Sequence, residues 1–228
     1  MKDINDIFVV IQARLGSVRV PQKMLRPFAG TTLLDIAIQN VLDSLVIPKE
    51  NFYLSVYEDG LKEIGRKYDV NIFERSYESA FTETSMTDMY EWHDKVPYKY
   101  AVLINACCPF LTTDTIGWFV KQYMKQEEDG LFGVIKKRDY FWDKDGVMTT
   151  TWPEGAEYLD TKRVEECYQA AHCLYASRLD TIKNNIWMGT FQKPRDPVLF
   201  EMEEKEVLDI DYEWQFELYE QAYANWSE

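Results

Sequence analysis

Five short apolar runs, Ile7–Ile11, Phe52–Tyr57, Val70–Phe73, Tyr100–Asn105 and Leu131–Ile135, are each separated from the next by a stretch with helical spacing. In Thr31–Ser44, Leu33, Leu34, Ala37, Ile38, Val41 and Leu42 recur at i, i+3 and i+4, which gathers them on one helix face. Leu61–Tyr68, Ser85–Lys95 and Asp114–Gln126 fill the later gaps in the same way. Strand and helix in alternation predict an α/β chain whose sheet is largely parallel and covered on both faces.

After Lys136 the rhythm breaks. Residues 137–195 contain Asp143-Lys-Asp-Gly146, a tight-turn signal, together with Trp142, Trp152, Tyr158, Tyr168, Tyr175 and Trp187. This stretch reads as a β-rich subdomain inserted between two parts of one α/β domain, residues 1–136 and 196–228. Its aromatics either fill a small core or form an oligomer contact, since interfaces are enriched in them too. The chain returns through Val198–Met202 and Glu206–Ile210 to a last helix expected over Glu213–Trp226. The length of 228 residues suits one such domain with a small insertion.

Charge narrows the partners. Lys and Arg number 25 against 39 Asp and Glu, a net charge of −14, so neither nucleic acid nor an anionic membrane surface is an expected partner. Any anion must be held locally. Ile7–Ile11 is too short for a membrane span or a signal sequence and follows Asp3 and Asp6, so a cytoplasmic location is expected. Cys107, Cys108, Cys167 and Cys173 form no C-x-x-C pair and are expected as reduced thiols.

A local anion site is legible where the first strand ends. Four basic residues, Arg14, Arg19, Lys23 and Arg26, and no acid lie between Ile7 and Leu34. Gly16 lets the backbone approach a ligand and Ser17 adds a hydroxyl, while backbone N–H groups with Arg and Lys neutralise oxygens, a composition suited to a triphosphate. Arg14 and Lys23 are the leading candidates. The loop leaves the carboxyl edge of the sheet, where open α/β sheets bind ligands. Neither the P-loop pattern nor the dinucleotide fingerprint occurs. A solvated basic loop would have the same composition.

The second constellation is Val207-Leu-Asp209-Ile-Asp211, read as a strand end before the last helix. Carboxylates two residues apart on a strand share one face and can hold a hard divalent cation against phosphate oxygens. Asp211 is equally explained as the helix N-cap, which leaves Asp209 without a role. His93 reads as a packed residue.

The pattern Arg14-x-Gly16-Ser17-x-Arg19-x-Pro21-x-Lys23 after an N-terminal strand resembles the signature loop of the cytidylyltransferases that activate acidic sugars, namely the acylneuraminate, CMP-Kdo and spore-coat-polysaccharide types. Gln12-Ala13-Arg14 is closer to the spore-coat type than to the sialic-acid enzymes, and Met24 stands where the latter often have Asn. Asp209-Ile-Asp211 is similar to the family's metal-binding element near the C-terminus. The middle departs: in Leu103–Asp114, Asn105 replaces the acceptor-binding Gln and no Kdo-type carboxylate is present.

The resemblance implies a three-layer Rossmann-like nucleotidyltransferase domain with a small β-rich dimerisation insertion. It implies CTP bound by Ala13, Arg14, Leu15, Gly16, Ser17, Arg19 and Lys23, and Mg²⁺ on Asp209 and Asp211. Arg14, Lys23 and Asp211 would be catalytic, and Asn105 and His172 would face a small anionic acceptor. A homodimer follows too, with His172 or Arg163 serving a neighbouring site. Other readings are a phosphate or phosphonate acceptor, a GT-A-like glycosyltransferase using Asp209-Ile-Asp211 as its D-x-D, and a non-catalytic nucleotide-binding subunit.

Overall fold

The side chains of Ile7, Phe8, Val9, Val10 and Ile11 are all fully buried, so the first strand, β1 (Ile7–Gln12), has apolar packing on both faces. That is the signature of a central strand in a doubly covered sheet. The computed structural model describes residues 1–82 and 85–225. After β1 come β2 (Pro27–Phe28), β3 (Thr31–Thr32), β4 (Phe52–Val56), β5 (Asn71–Glu74), β6 (Tyr100–Ile104), β7 (Leu131–Lys137), β8 (Cys167–Arg178) and β9 (Val198–Glu201). The helices are α1 (Leu33–Asp43), α2 (Asp59–Lys67), α3 (Tyr77–Phe81), α4 (Met86–Met89), α5 (Thr113–Lys125) and α6 (Glu213–Ala224).

Seven strands form one sheet in the order β5-β4-β1-β6-β8-β7-β9, and β2 pairs with β3 alone. Parallel pairing joins β5 to β4, β4 to β1, β1 to β6 and β7 to β9, whereas β8 runs antiparallel to both its neighbours. One face of the sheet carries Val9, Ile11, Leu54 and Val102 against Leu34, Ile38, Phe119 and Phe216 of α1, α5 and α6. The other carries Phe8, Val10 and Ala101 against Trp92, Leu179, Ile182 and Trp187. The expected largely parallel, three-layer α/β architecture is what the chain forms.

Four local expectations change. Ser85–Lys95 is not one helix: α4 ends at Met89 and a 3-10 turn, Glu91–Asp94, follows. The break lets the Trp92 ring enter the second core while its Nε1 donates to Gln12 Oε1 at 2.8 Å. The excursion from the sheet is smaller than 137–195, because Cys167–Arg178 returns as β8 between β6 and β7. Its small apolar residues Ala171, Cys173, Leu174 and Ala176 are buried there, and only 138–166 leaves the sheet before it. Glu206–Ile210 is no strand but a 3-10 turn, Glu204–Val207, followed by extended chain. The last helix ends at Ala224, and Trp226 lies outside the described residues.

Candidate active site

At the carboxyl end of β1 the chain opens into a cleft of about 390 Å³, lined by Gln12, Ala13, Arg14, Gly16, Ser17, Arg19 and Lys23 together with Met24 and Cys107. Six of the seven residues expected to hold a nucleotide therefore meet in one place. Leu15 is the exception. Its side chain packs against the main core, and its N–H donates to Glu58 Oε1 at 2.7 Å. Gly16 leaves room for Phe81: a Cβ there would lie 3.1 Å from its Cε1, a tight contact. Arg14 Nη1 donates to the Ala80 carbonyl at 3.0 Å, which ties the loop to α3.

The segment carrying the acidic pair adjoins the cleft through two of its lining residues, Arg19 and Lys23. Ile210, which stands between the two acids, is fully buried. Arg19 Nη2 meets Asp211 Oδ1 at 2.6 Å, and Lys23 Nζ donates to the Ile210 carbonyl at 2.7 Å. The Ile210 N–H donates to the Cys107 carbonyl at 3.1 Å, which anchors the pair to the segment after β6. Asp211 is not the N-cap of α6. That place belongs to Tyr212, and Gln215 Oε1 accepts from both the Asp211 and Tyr212 N–H groups.

Asp209 is largely withdrawn from water. Burial pushes its carboxyl above the ordinary value, the charges of Lys23, His172 and Arg19 oppose this, and Asp211 adds to it. Its Oδ1 is buried without a hydrogen-bond partner among the described residues. Burial also pushes the Cys107 thiol up to about 11 despite nearby Lys23, so at neutral pH it is a neutral lining group.

The two residues expected to face the acceptor are neighbours, but they meet through the His172 backbone. Asn105 Nδ2 donates to the His172 carbonyl and its Oδ1 accepts from the Cys107 N–H, both at 2.9 Å, so this side chain braces backbone. His172 stands exposed with φ at 54°, on a bulge where β8 slips register against Phe132–Val134 of β7. Gly133 lies opposite the bulge, where a Cβ would meet Met202 Sδ at 2.7 Å. Arg163 donates to the carbonyls of Gly155 and Glu154 within the 138–166 excursion. His93 packs with Nδ1 3.1 Å from the Tyr90 carbonyl.

Two features went unread in the sequence. Glu58 is one, and the signal for it is position: it follows β4, the neighbour of β1, at the same sheet edge. The other is a rim of mutually contacting rings, Tyr57, Tyr77 and Phe81, with centroids 5.0–6.0 Å apart.

Residues 8–222 match the family model described as cytidylyltransferase. The spore coat polysaccharide biosynthesis protein SpsF of Bacillus subtilis is 47% identical over 47 residues, 21% of this chain and 20% of that protein. N-acylneuraminate cytidylyltransferase A of Danio rerio is 24% identical over 149 residues, 63% of this chain and 34% of that protein. The matches thus span about a fifth and about a third of those relatives. CMP:2-keto-3-deoxy-manno-octonic acid synthetase, solved with CTP, superposes with a TM-score of 0.68 at 13% identity, covering 96% of this chain and 98% of that one. 4-Diphosphocytidyl-2C-methyl-D-erythritol synthase of Anaerococcus prevotii gives 0.66 at 15% identity, covering 98% and 100%. At these identities the likeness is one of fold. No helix among the described residues is long and apolar enough to cross a membrane.

Proposed function

Since the chain belongs to the cytidylyltransferase family, we propose that it transfers CMP from CTP to an acidic sugar of the sialic-acid or Kdo kind, or to a related anionic acceptor, releasing pyrophosphate in surface-glycan biosynthesis. The observation that carries this reading is the acid-free loop with Arg14, Arg19 and Lys23 in one cleft, where Arg19 and Lys23 also contact Asp211 and the Ile210 carbonyl. An acceptor oxygen attacks the α-phosphorus in line, the new P–O bond forms, and the bond to the β-phosphate oxygen breaks with pyrophosphate leaving. An acceptor hydroxyl gives its proton to water. Arg14 and Lys23 balance charge on the phosphates as it shifts toward the leaving group, and their positions are fixed beforehand by Ala80 and Ile210.

Asp209 and Asp211 fit a Mg²⁺ ion. The orphaned, buried Oδ1 of Asp209 supplies a hard oxygen with no other partner among the described residues. No group of three or more candidate ligands occurs among those residues, which suits Mg²⁺, an ion that takes one or two carboxylates and completes its shell with phosphate oxygens and water. Bound there, it would polarise and orient the phosphates.

Asn105 is committed to backbone groups, which favours an acceptor read differently from that of the sialic-acid enzymes and keeps a phosphate or phosphonate in the panel. His172 is the acceptor-side candidate. The same reading makes the protein a cytoplasmic homodimer joined through the aromatic excursion 138–166. Thermal shifts with the four nucleoside triphosphates, then pyrophosphate release with candidate acceptors, test the proposal. CTP should stabilise most, and release should require both acceptor and divalent cation. A glycosyltransferase or a non-catalytic subunit would release no pyrophosphate, and release unchanged by EDTA would remove the metal from the reading.

A further inference from the structure

Three of the four loop cations already grip the segment that follows Asp209. Arg19 pairs with Asp211 at 2.6 Å, Lys23 donates to the Ile210 carbonyl at 2.7 Å, and Arg26 pairs with Glu213 at 2.5 Å. These contacts differ in what they leave free. An ammonium has three donors, so Lys23 can keep Ile210 and still serve a phosphate. Arg26 does not line the cleft. Arg19 does, and the oxygen it holds is one of the two carboxylates offered to the cation.

A guanidinium and a divalent cation on one carboxylate repel each other across a few ångströms, where like charges in a partly dry cleft interact strongly. Asp211 therefore cannot serve both well. Arg19 is more than half exposed, with its side chain at 55%, and its guanidinium lies 5.2 Å from the ring centroid of Tyr212, which is itself on the surface. That exposure leaves the side chain solvent through which to swing toward the phosphates.

We propose that Arg19 is an exchanging partner: it neutralises Asp211 until a nucleoside triphosphate enters, then passes to the phosphates as Asp211 passes to the divalent cation. This rests on the reading of Asp209 and Asp211 as the cation's ligands. Triphosphate and cation then bind interdependently, each favouring the other by the same factor, and the protein alone takes the cation poorly. No bond is made or broken in the exchange; one ion pair is traded for two.

Mn²⁺ binding followed by electron paramagnetic resonance tests this on the full chain, with and without α,β-methylene-CTP, which cannot be cleaved at the α-phosphorus. The wild type should bind Mn²⁺ about tenfold or more tightly with the nucleotide than without, the scale expected when a charge-assisted hydrogen bond is exchanged. Arg19→Gln should bind Mn²⁺ about tenfold more tightly than the wild type without nucleotide and gain about tenfold less than the wild type does from adding it, since the phosphate oxygens still ligate the cation. Arg19→Lys should behave as the wild type does. Equal affinities of Arg19→Gln and wild type without nucleotide would overturn the exchange. So would an equal gain from Arg26→Gln, which removes the same charge without freeing Asp211. If Asp211→Asn leaves Mn²⁺ binding to the nucleotide complex unchanged, the ligand assignment itself fails and the exchange falls with it.

Discussion

At the residue scale the cleft depends on a few long-range hydrogen bonds. Arg14 and Lys23 line the cleft, while the loop's core contacts come from Ala13, Val20 and Met24, so Arg14→Ala and Lys23→Ala should fold with unchanged circular dichroism. Each should lose about 100-fold or more in turnover, the ~3 kcal/mol typical of one preorganised charge at a transition state. Near-normal turnover in both would remove the loop from the chemistry. Glu58 acts through Leu15: its carboxylate fixes a loop N–H at 2.7 Å. Glu58→Ala should raise KM for CTP about tenfold with a smaller effect on kcat, and Glu58→Gln, which keeps an acceptor oxygen, should restore most of it. Equal kinetics for Ala and Gln would show that the acceptor oxygen does not matter. The basic loop residues were legible because their chemistry is local in sequence. Glu58 was not, since 43 residues separate it from Leu15 and only the pairing of β4 with β1 brings them together.

At the element scale α1 shows how a helix start is pinned. Thr32 Oγ1 accepts from the Asp35 N–H at 3.1 Å and donates to the Asp35 carboxylate at 2.6 Å, and Lys67 of α2 meets the same carboxylate at 2.6 Å. Burial pushes the Asp35 carboxyl up, but the Lys67, Thr32 and Tyr68 hydrogen bonds outweigh it and hold it below the ordinary value. A lowered folded-state pKa adds stability above the unfolded-state value and loses it as pH falls through the folded one. Asp35→Asn should therefore lower Tm at pH 7 by about 2–4 °C, the shift of ~1 kcal/mol in a chain this size, and the gap should close on the acid side of pH 4. A gap that persists at pH 3 would contradict the charge argument. Strands β1, β4, β5, β6 and β7 were legible as apolar runs. Strand β8 was hidden, because Tyr168, Gln169 and His172 stay at least partly exposed while Ala171 and Cys173 are buried, and the bulge at His172 breaks the period. The break after Met89 was hidden for another reason: it serves Trp92, whose destination is a contact with Gln12 across the fold.

At the scale of the whole molecule, the parallel α/β plan and the cleft at its carboxyl edge followed from the alternation of runs and the position of the basic loop. The extent of the excursion did not, because composition marks aromatics without saying which of them belong to the sheet. Trp142, Trp152 and Tyr158 are 51%, 44% and 70% exposed, an apolar surface that a lone chain does not usually carry. Light scattering at micromolar concentration should give twice the chain mass, and Trp142→Ser with Trp152→Ser should shift it toward one; a single-chain mass for the wild type would refute the dimer. The most direct measurement of CMP transfer follows two labels through one reaction. With CTP labelled at the α-phosphate, the label should move into an acidic-sugar or related anionic acceptor. With CTP labelled at the γ-phosphate, it should appear in pyrophosphate in equal amount. An α-label that reaches no acceptor in the panel, while the protein binds CTP, would contradict the assignment.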